Sequence, residues 1–172
     1  MNQITKDGEN KMLEDKEAKD LEIEKTLKAP IALVWSMWTE AANFQKWYGP
    51  RGADVTVHKM DLQKNSERLV NLKMQTPRGE IDMWFAGIFQ EISPDSKLVY
   101  TESHSDENGK IPSSVDSAMP ASFHARTVVT LELSSIGEST RMTLEHNCVP
   151  ADSHGAASWK ASIDKLEDLI SK

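Results

Sequence analysis

The sequence predicts an α+β domain in which a curved antiparallel sheet wraps around a long C-terminal helix. Three observations predict it. From Ala53 to His146 apolar residues recur at every second position, the period of strands with one buried face. From Asp152 to about Ile170 the period becomes helical, with Trp159, Ile163, Leu166 and Ile170 spaced four, three and four. Between a first strand and this sheet, the stretch from Ala29 to Gly52 reads as two short helices and holds three of the five tryptophans. An antiparallel run needs one face covered, and the long helix is the available cover.

Residues 1–20 are polar and charged and read as a flexible tail, leaving residues 21–172 as one domain. Leu21 to Leu27 alternates Leu21, Ile23, Lys25 and Leu27 against Glu22, Glu24 and Thr26, a half-buried strand. Pro30 suits a helix start, where a missing N–H costs nothing. Ile31, Val34, Trp35 and Trp38 follow at helical spacing, and Thr39 is the expected N-cap of the second short helix. Gly49-Pro50 and Gly52 stop the helical segment.

Val55 and Val57 then open the sheet. Val70, Leu72 and Met74 continue it, Thr76-Pro77-Arg78-Gly79 turns, and Ile81, Met83, Phe85, Gly87 and Phe89 return. Lys97 to Glu102 is another strand. Ser103 to Ala125 is the longest irregular stretch, and a loop of that length in a compact domain is often functional. Strands resume at Thr127 to Leu133 and, after Ile136-Gly137-Glu138, at Met142, Leu144 and His146. Asp152 is the expected cap of the last helix, which at 1.5 Å per residue is roughly 27–30 Å long, enough to cross a small sheet.

Composition excludes several classes. A formal net charge of −7 lacks the basic footprint of nucleic-acid binding. No run approaches the ~18 apolar residues of a membrane span, and the N-terminus lacks the apolar core of a signal peptide. Cys148 is the single cysteine, so intramolecular disulfides and thiolate zinc clusters are excluded, which fits a cytoplasmic location. At a strand end, Cys148 reads as a small buried hydrophobe.

Catalytic and metal motifs are scarce. No P-loop, glycine-rich dinucleotide signature or Ser-His-Asp order appears, so no cofactor, metal or catalytic residue is assigned. His104 and His124 bracket the long loop with Asp106 and Glu107, but at no ligand spacing. Glu80 and Asp82 share a strand face with Trp84, Ala86 and Ile88 and read as an exposed acidic face.

Several residues in this order carry a resemblance. Ala29-Pro30, Val34-Trp35, Trp38-Thr39, then Trp47-Tyr48-Gly49-Pro50 and Gly52 resemble the opening of the Aha-type domain. This is the C-terminal domain of the activator of the ninety-kilodalton heat-shock-protein ATPase, in the START-like or SRPBCC superfamily. Asp61-Leu62, Gly79-Glu80, Phe85-x-Gly87-x-Phe89-x-Glu91, Leu98-Val99-Tyr100 and Gly137-x2-Thr140-Arg141-Met142-Thr143-Leu144 extend it, and the Trp159 to Ile170 helix closes it. It spans Leu21 to Lys172. The chain departs from the family at Lys64-Asn65-Ser66, where a Gly-Gly turn is usual, at Tyr48 for a second tryptophan, at Ser158 for a glycine, and in the long 103–125 loop. Asn65 tolerates the left-handed geometry that such a turn requires.

The resemblance implies a helix-grip fold with an internal cavity and a non-catalytic protein that binds a hydrophobic small molecule. Inward strand parity then nominates Met74, Met83, Phe85, Phe89, Tyr100 and His146 as cavity lining. Trp159 and Ile163 join them from the helix, and Phe123 with Met119 from the loop at the mouth. A lone histidine on an apolar face is more often a satisfied core residue than a ligand; facing a cavity, His146 would be its polar anchor. The alternatives are a module that regulates a chaperone partner and an enzyme of polyketide-cyclase type. The enzyme would need two or more titratable groups converging in the cavity.

Overall fold

The computed structural model describes residues 20–112 and 126–171. The chain runs β1 (Asp20–Leu27), α1 (Ile31–Thr39), α2 (Ala41–Phe44), β2 (Asp54–Met60), β3 (Glu67–Thr76), β4 (Gly79–Ser93), β5 (Lys97–Ser105), β6 (Thr127–Ile136), β7 (Ser139–Pro150) and α3 (His154–Ile170). The seven strands form one antiparallel sheet in the order β1-β7-β6-β5-β4-β3-β2. Sequence neighbours from β2 to β7 are spatial neighbours, and β1 closes on β7. The helices α1, α2 and α3 lie against the inner face, so the predicted helix-grip architecture is the observed one.

The turns follow from their residues. Asn65 takes a φ of 69° where the β2–β3 connection needs it, and Gly137 does the same at 60° between β6 and β7. At Gly87, opposite Arg68 on β3, a Cβ would sit 1.7 Å from the backbone oxygen of Thr101 on β5. Only glycine permits that approach. Thr101 itself takes a place in the ladder, its Oγ1 accepting from Ile88 N–H at 2.9 Å.

Four local expectations need correction. Thr39 does not cap α2: it ends α1, and its buried hydroxyl donates back to the Trp35 carbonyl at 2.8 Å. Glu40 holds the cap position of α2, without a side-chain bond. Asp152 does not cap α3 either. Ser153 does, accepting from Ala156 N–H at 3.2 Å, because it is the last residue with extended backbone before the helix. Cys148 is exposed rather than buried, at a φ of 59° that takes it off the strand alternation. The irregular stretch begins later than Ser103, since β5 runs on to Ser105. Asp106 then accepts from the N–H of Asn108 and of Lys110, both at 2.9 Å, and folds a local turn. Met119, Phe123 and His124 lie outside the described residues, as do residues 1–19 of the expected tail.

The aromatic stretch after β1 is a clamp. Trp47 is fully buried, donates its indole N–H to the Met37 carbonyl at 2.8 Å, and meets Trp38 edge-on at 4.6 Å between ring centroids. Trp38 in turn stacks on Trp159 at 6.0 Å. Through that stack, α1 and α2 hold the N-terminal half of α3.

Candidate functional site

The buried stripe of α3 runs Trp159, Ile163, Leu166 and Ile170, and beside it in the first half of the helix lie small residues. Ile163, Leu166 and Ile170 fill the C-terminal half and are buried. Gly155, Ser158 and Ser162, at spacings of three and four, leave space beside Trp159 in the N-terminal half. The result is a pocket of about 460 Å3 between that half of α3 and the sheet. Leu72 from β3, Met83 and Phe85 from β4, Val149 from the end of β7 and Trp159 from α3 supply apolar wall. Tyr48, Glu102, Thr127 and His146 supply polar floor, with Ser103 and His104 beside them.

His146 sits at the centre of a chain of hydrogen bonds. The Trp159 indole N–H donates to its Nδ1 at 2.9 Å. An indole nitrogen can only donate, so Nδ1 accepts and Nε2 carries the imidazole proton. Nε2–H donates to Thr127 Oγ1 at 2.7 Å, and the Thr127 hydroxyl donates onward to the Glu102 carbonyl at 2.5 Å. Burial holds His146 below the ordinary imidazole range, with Glu102 and then Asp20 pulling the other way more weakly. Burial likewise lowers His104, against Glu102.

Behind the floor lies an ion pair that strand parity alone did not reveal. Arg68 is 3 % exposed and Glu102 7 %. Their closest atoms, Nη1 and Oε2, are 3.8 Å apart. The guanidinium carbon lies 3.7 Å from the Tyr100 ring centroid, with Phe89 at 5.6 Å and Phe44 at 5.4 Å. Gly87 pairs with Arg68 on β4, the strand between the two partners. The aromatic rings receive the flat cation that water would otherwise solvate. Tyr48 donates its hydroxyl to Glu102 Oε1 at 3.0 Å. Burial, then the Glu102 charge, push the Tyr48 phenol well above its ordinary range, so it stays a donor.

Of the residues nominated from sequence, Met83, Phe85, His146 and Trp159 line this pocket. Phe89 and Tyr100 do not: they are buried around Arg68, one layer below. Ile163 is buried in the core beside α3's filled half, and Met74 is half-buried on β3 away from the pocket lining. Sequence reading passed over Tyr48, Arg68, Glu102 and Thr127. A signal was present for two of them. Arg68 shares parity with Val70 and Leu72, and Glu102 with Leu98 and Tyr100, so each is a charge on an apolar strand face. Among the described residues, no group of three or more His, Cys, Asp and Glu side chains comes together as a metal site.

Comparison with known proteins settles the family. Residues 28–171 match the model of the "Activator of Hsp90 ATPase homolog 1-like protein" family. The chain belongs to that family. Solved structures agree on the fold. Protein Ms6760 from Mycobacterium smegmatis superposes with a TM-score of 0.72 at 14% identity, over 89% of this chain and 91% of that one. Protein CV1439 from Chromobacterium violaceum gives 0.70 at 17% identity, over 88% and 96%. An AHSA1 protein from Silicibacter pomeroyi gives 0.68 at 16%, over 89% and 98%. At such identities the likeness carries the fold alone. No curated protein matches the chain. Membership in this family points to a ligand-binding or regulatory domain. Among the described residues, no helix is long and apolar enough to cross a membrane.

Proposed function

We propose that this protein binds a small hydrophobic molecule in the pocket between α3 and the sheet, and holds it without chemical change. The observation that carries the reading is the hollow half of α3. Gly155, Ser158 and Ser162 border the space, and Leu72, Met83, Phe85 and Trp159 supply apolar wall around it. A pocket of this size lies within the range of roughly 300–1,000 Å3 typical of small-molecule sites. Met83 and Phe85 supply adaptable apolar contact, and Trp159 a rigid one. The engagement of both His146 nitrogens supports holding over turnover, because a proton-transfer catalyst needs one of them facing its substrate.

A thermal-shift screen of uncharged lipophilic compounds tests this. A ligand that binds only the folded state raises the melting temperature with its concentration. The half-buried Ser158 lines the pocket, so Ser158→Phe fills it and should abolish the shift while the protein stays folded. A library in which no compound raises the melting temperature, or an undiminished shift in S158F, overturns the reading.

The family description favours a second reading, a regulatory contact with a chaperone. Its test is direct: adding the protein to purified Hsp90 should change the rate of ATP hydrolysis. An unchanged rate together with no detectable binding removes it.

A further inference from the structure

Several polar groups at the floor of the pocket are already committed, and the Glu102 carboxylate has capacity left. The Trp159 N–H is spent on His146, and His146 Nε2–H on Thr127. The Thr127 hydroxyl is spent on the Glu102 carbonyl. The Ser162 hydroxyl points to the carbonyls of Gly49 and Ser158, at 3.1 and 2.9 Å. The Glu102 carboxylate differs. Its two oxygens offer about four acceptor positions. Among the described residues it accepts one hydrogen bond, from Tyr48, while Arg68 stands at 3.8 Å, beyond hydrogen-bond reach. Glu102 lines the pocket; Arg68 does not.

We propose that the pocket selects an uncharged apolar molecule carrying a hydrogen-bond donor, of phenol or alcohol type, whose O–H is donated to the Glu102 carboxylate. This rests on the pocket being a ligand site. Three comparisons of chemistry lead to it. A carboxylate ligand would meet Glu102 directly, with the compensating Arg68 further back and walled by Tyr100, Phe89 and Phe44. A cationic ligand would lose its hydration in a site where Arg68 already offsets the Glu102 charge. A pure hydrocarbon would strip water from the carboxylate and return nothing. A neutral donor satisfies the open acceptor positions and brings no charge.

The test is a matched set of probes: 1-naphthol, 1-methoxynaphthalene, 1-naphthoate and 1-naphthylmethylamine, titrated calorimetrically into the whole protein. Naphthol should bind at least about tenfold more tightly than its methyl ether, the size of a hydrogen bond to a charged acceptor. Naphthoate and the amine should bind more weakly than naphthol. Glu102→Gln should cut the preference for naphthol over the ether to roughly threefold or less, since the acceptor is no longer charged. Tyr48→Phe frees a further acceptor position and should keep or enlarge that preference, which gives a reading even if E102Q fails to fold. Equal binding of naphthol and its ether, tightest binding of naphthoate or the amine, an undiminished preference in E102Q, or its loss in Y48F each overturns the proposal while leaving the ligand site standing. No binding by any of the four removes both.

Discussion

The Trp159 indole N–H points at Nδ1 of His146 from 2.9 Å, and so decides which imidazole nitrogen carries the proton. The pair joins α3 to β7 at the floor of the pocket. It requires a neutral imidazole, because a protonated ring would present N–H to N–H.

A pH dependence follows. His146 and His104 are held below their ordinary value of 6.5 by burial, whereas in the unfolded chain they take up protons at that value. Below about 6.5 the unfolded state therefore binds more protons than the folded state, and acid favours unfolding. The contribution is fully present above pH 6.5 and is lost as the pH falls from there toward the lowered folded values. The urea midpoint should drop between pH 7.5 and 5.5, and His146→Gln should flatten part of that drop. A midpoint that holds or rises on acidification would refute the assignment.

Arg68 and Glu102 should behave as one unit. Arg68→Met removes the cation and leaves a buried carboxylate without its counter-charge, a loss of about 3–5 kcal/mol. Adding Glu102→Gln removes the stranded charge and should recover at least ~1 kcal/mol. Denaturant unfolding of the two single variants and the double measures the coupling. Simple additivity would mean that the two charges do not compensate each other.

The start of α3 offers a sharper local test. Ser153→Ala loses the bond to the Ala156 N–H and should cost about 1 kcal/mol. The neighbouring Asp152→Ala should stay within about 0.5 kcal/mol, as for an ordinary exposed site. Equal costs in thermal unfolding would contradict the observed cap.

Gly87 and Gly52 should part company. An added methyl at Gly87 meets the Thr101 carbonyl oxygen at 1.7 Å, so β4 and β5 must separate. Gly87→Ala should cost upward of ~3 kcal/mol and reduce soluble yield. At Gly52 no atom lies within 4 Å, and only its φ of +86° resists a side chain, so Gly52→Ala should cost nearer ~1 kcal/mol. A well-folded G87A protein of normal melting temperature would argue against the close approach.

Much of the site was half-visible in the sequence. Strand parity put Met83, Phe85 and His146 on the inward face, where the structure has them lining the pocket. It put Phe89 and Tyr100 on that same face, and they are core. Parity reports which side of a sheet a residue faces, not what stands opposite. Arg68 and Glu102 were legible one at a time as charges on apolar faces. Their partnership was not, because it crosses β4 and joins two strands that are not neighbours in the sheet.

What the sequence determined by itself is local and periodic. Alternation specified the strands, the four-three-four spacing specified α3, and the tryptophan-rich stretch together with the later motifs specified the family. What only the tertiary structure decided is where the inner face is filled and where it is hollow. That depends on which segment of α3 crosses which part of the sheet. Ile163, Leu166 and Ile170 close one end, while Gly155, Ser158 and Ser162 leave the other open above Glu102 and His146. A period of two or of 3.6 residues orients a side chain, but the volume left over is fixed by how α3 meets five different strands, from β3 to β7, brought together by curvature and packing.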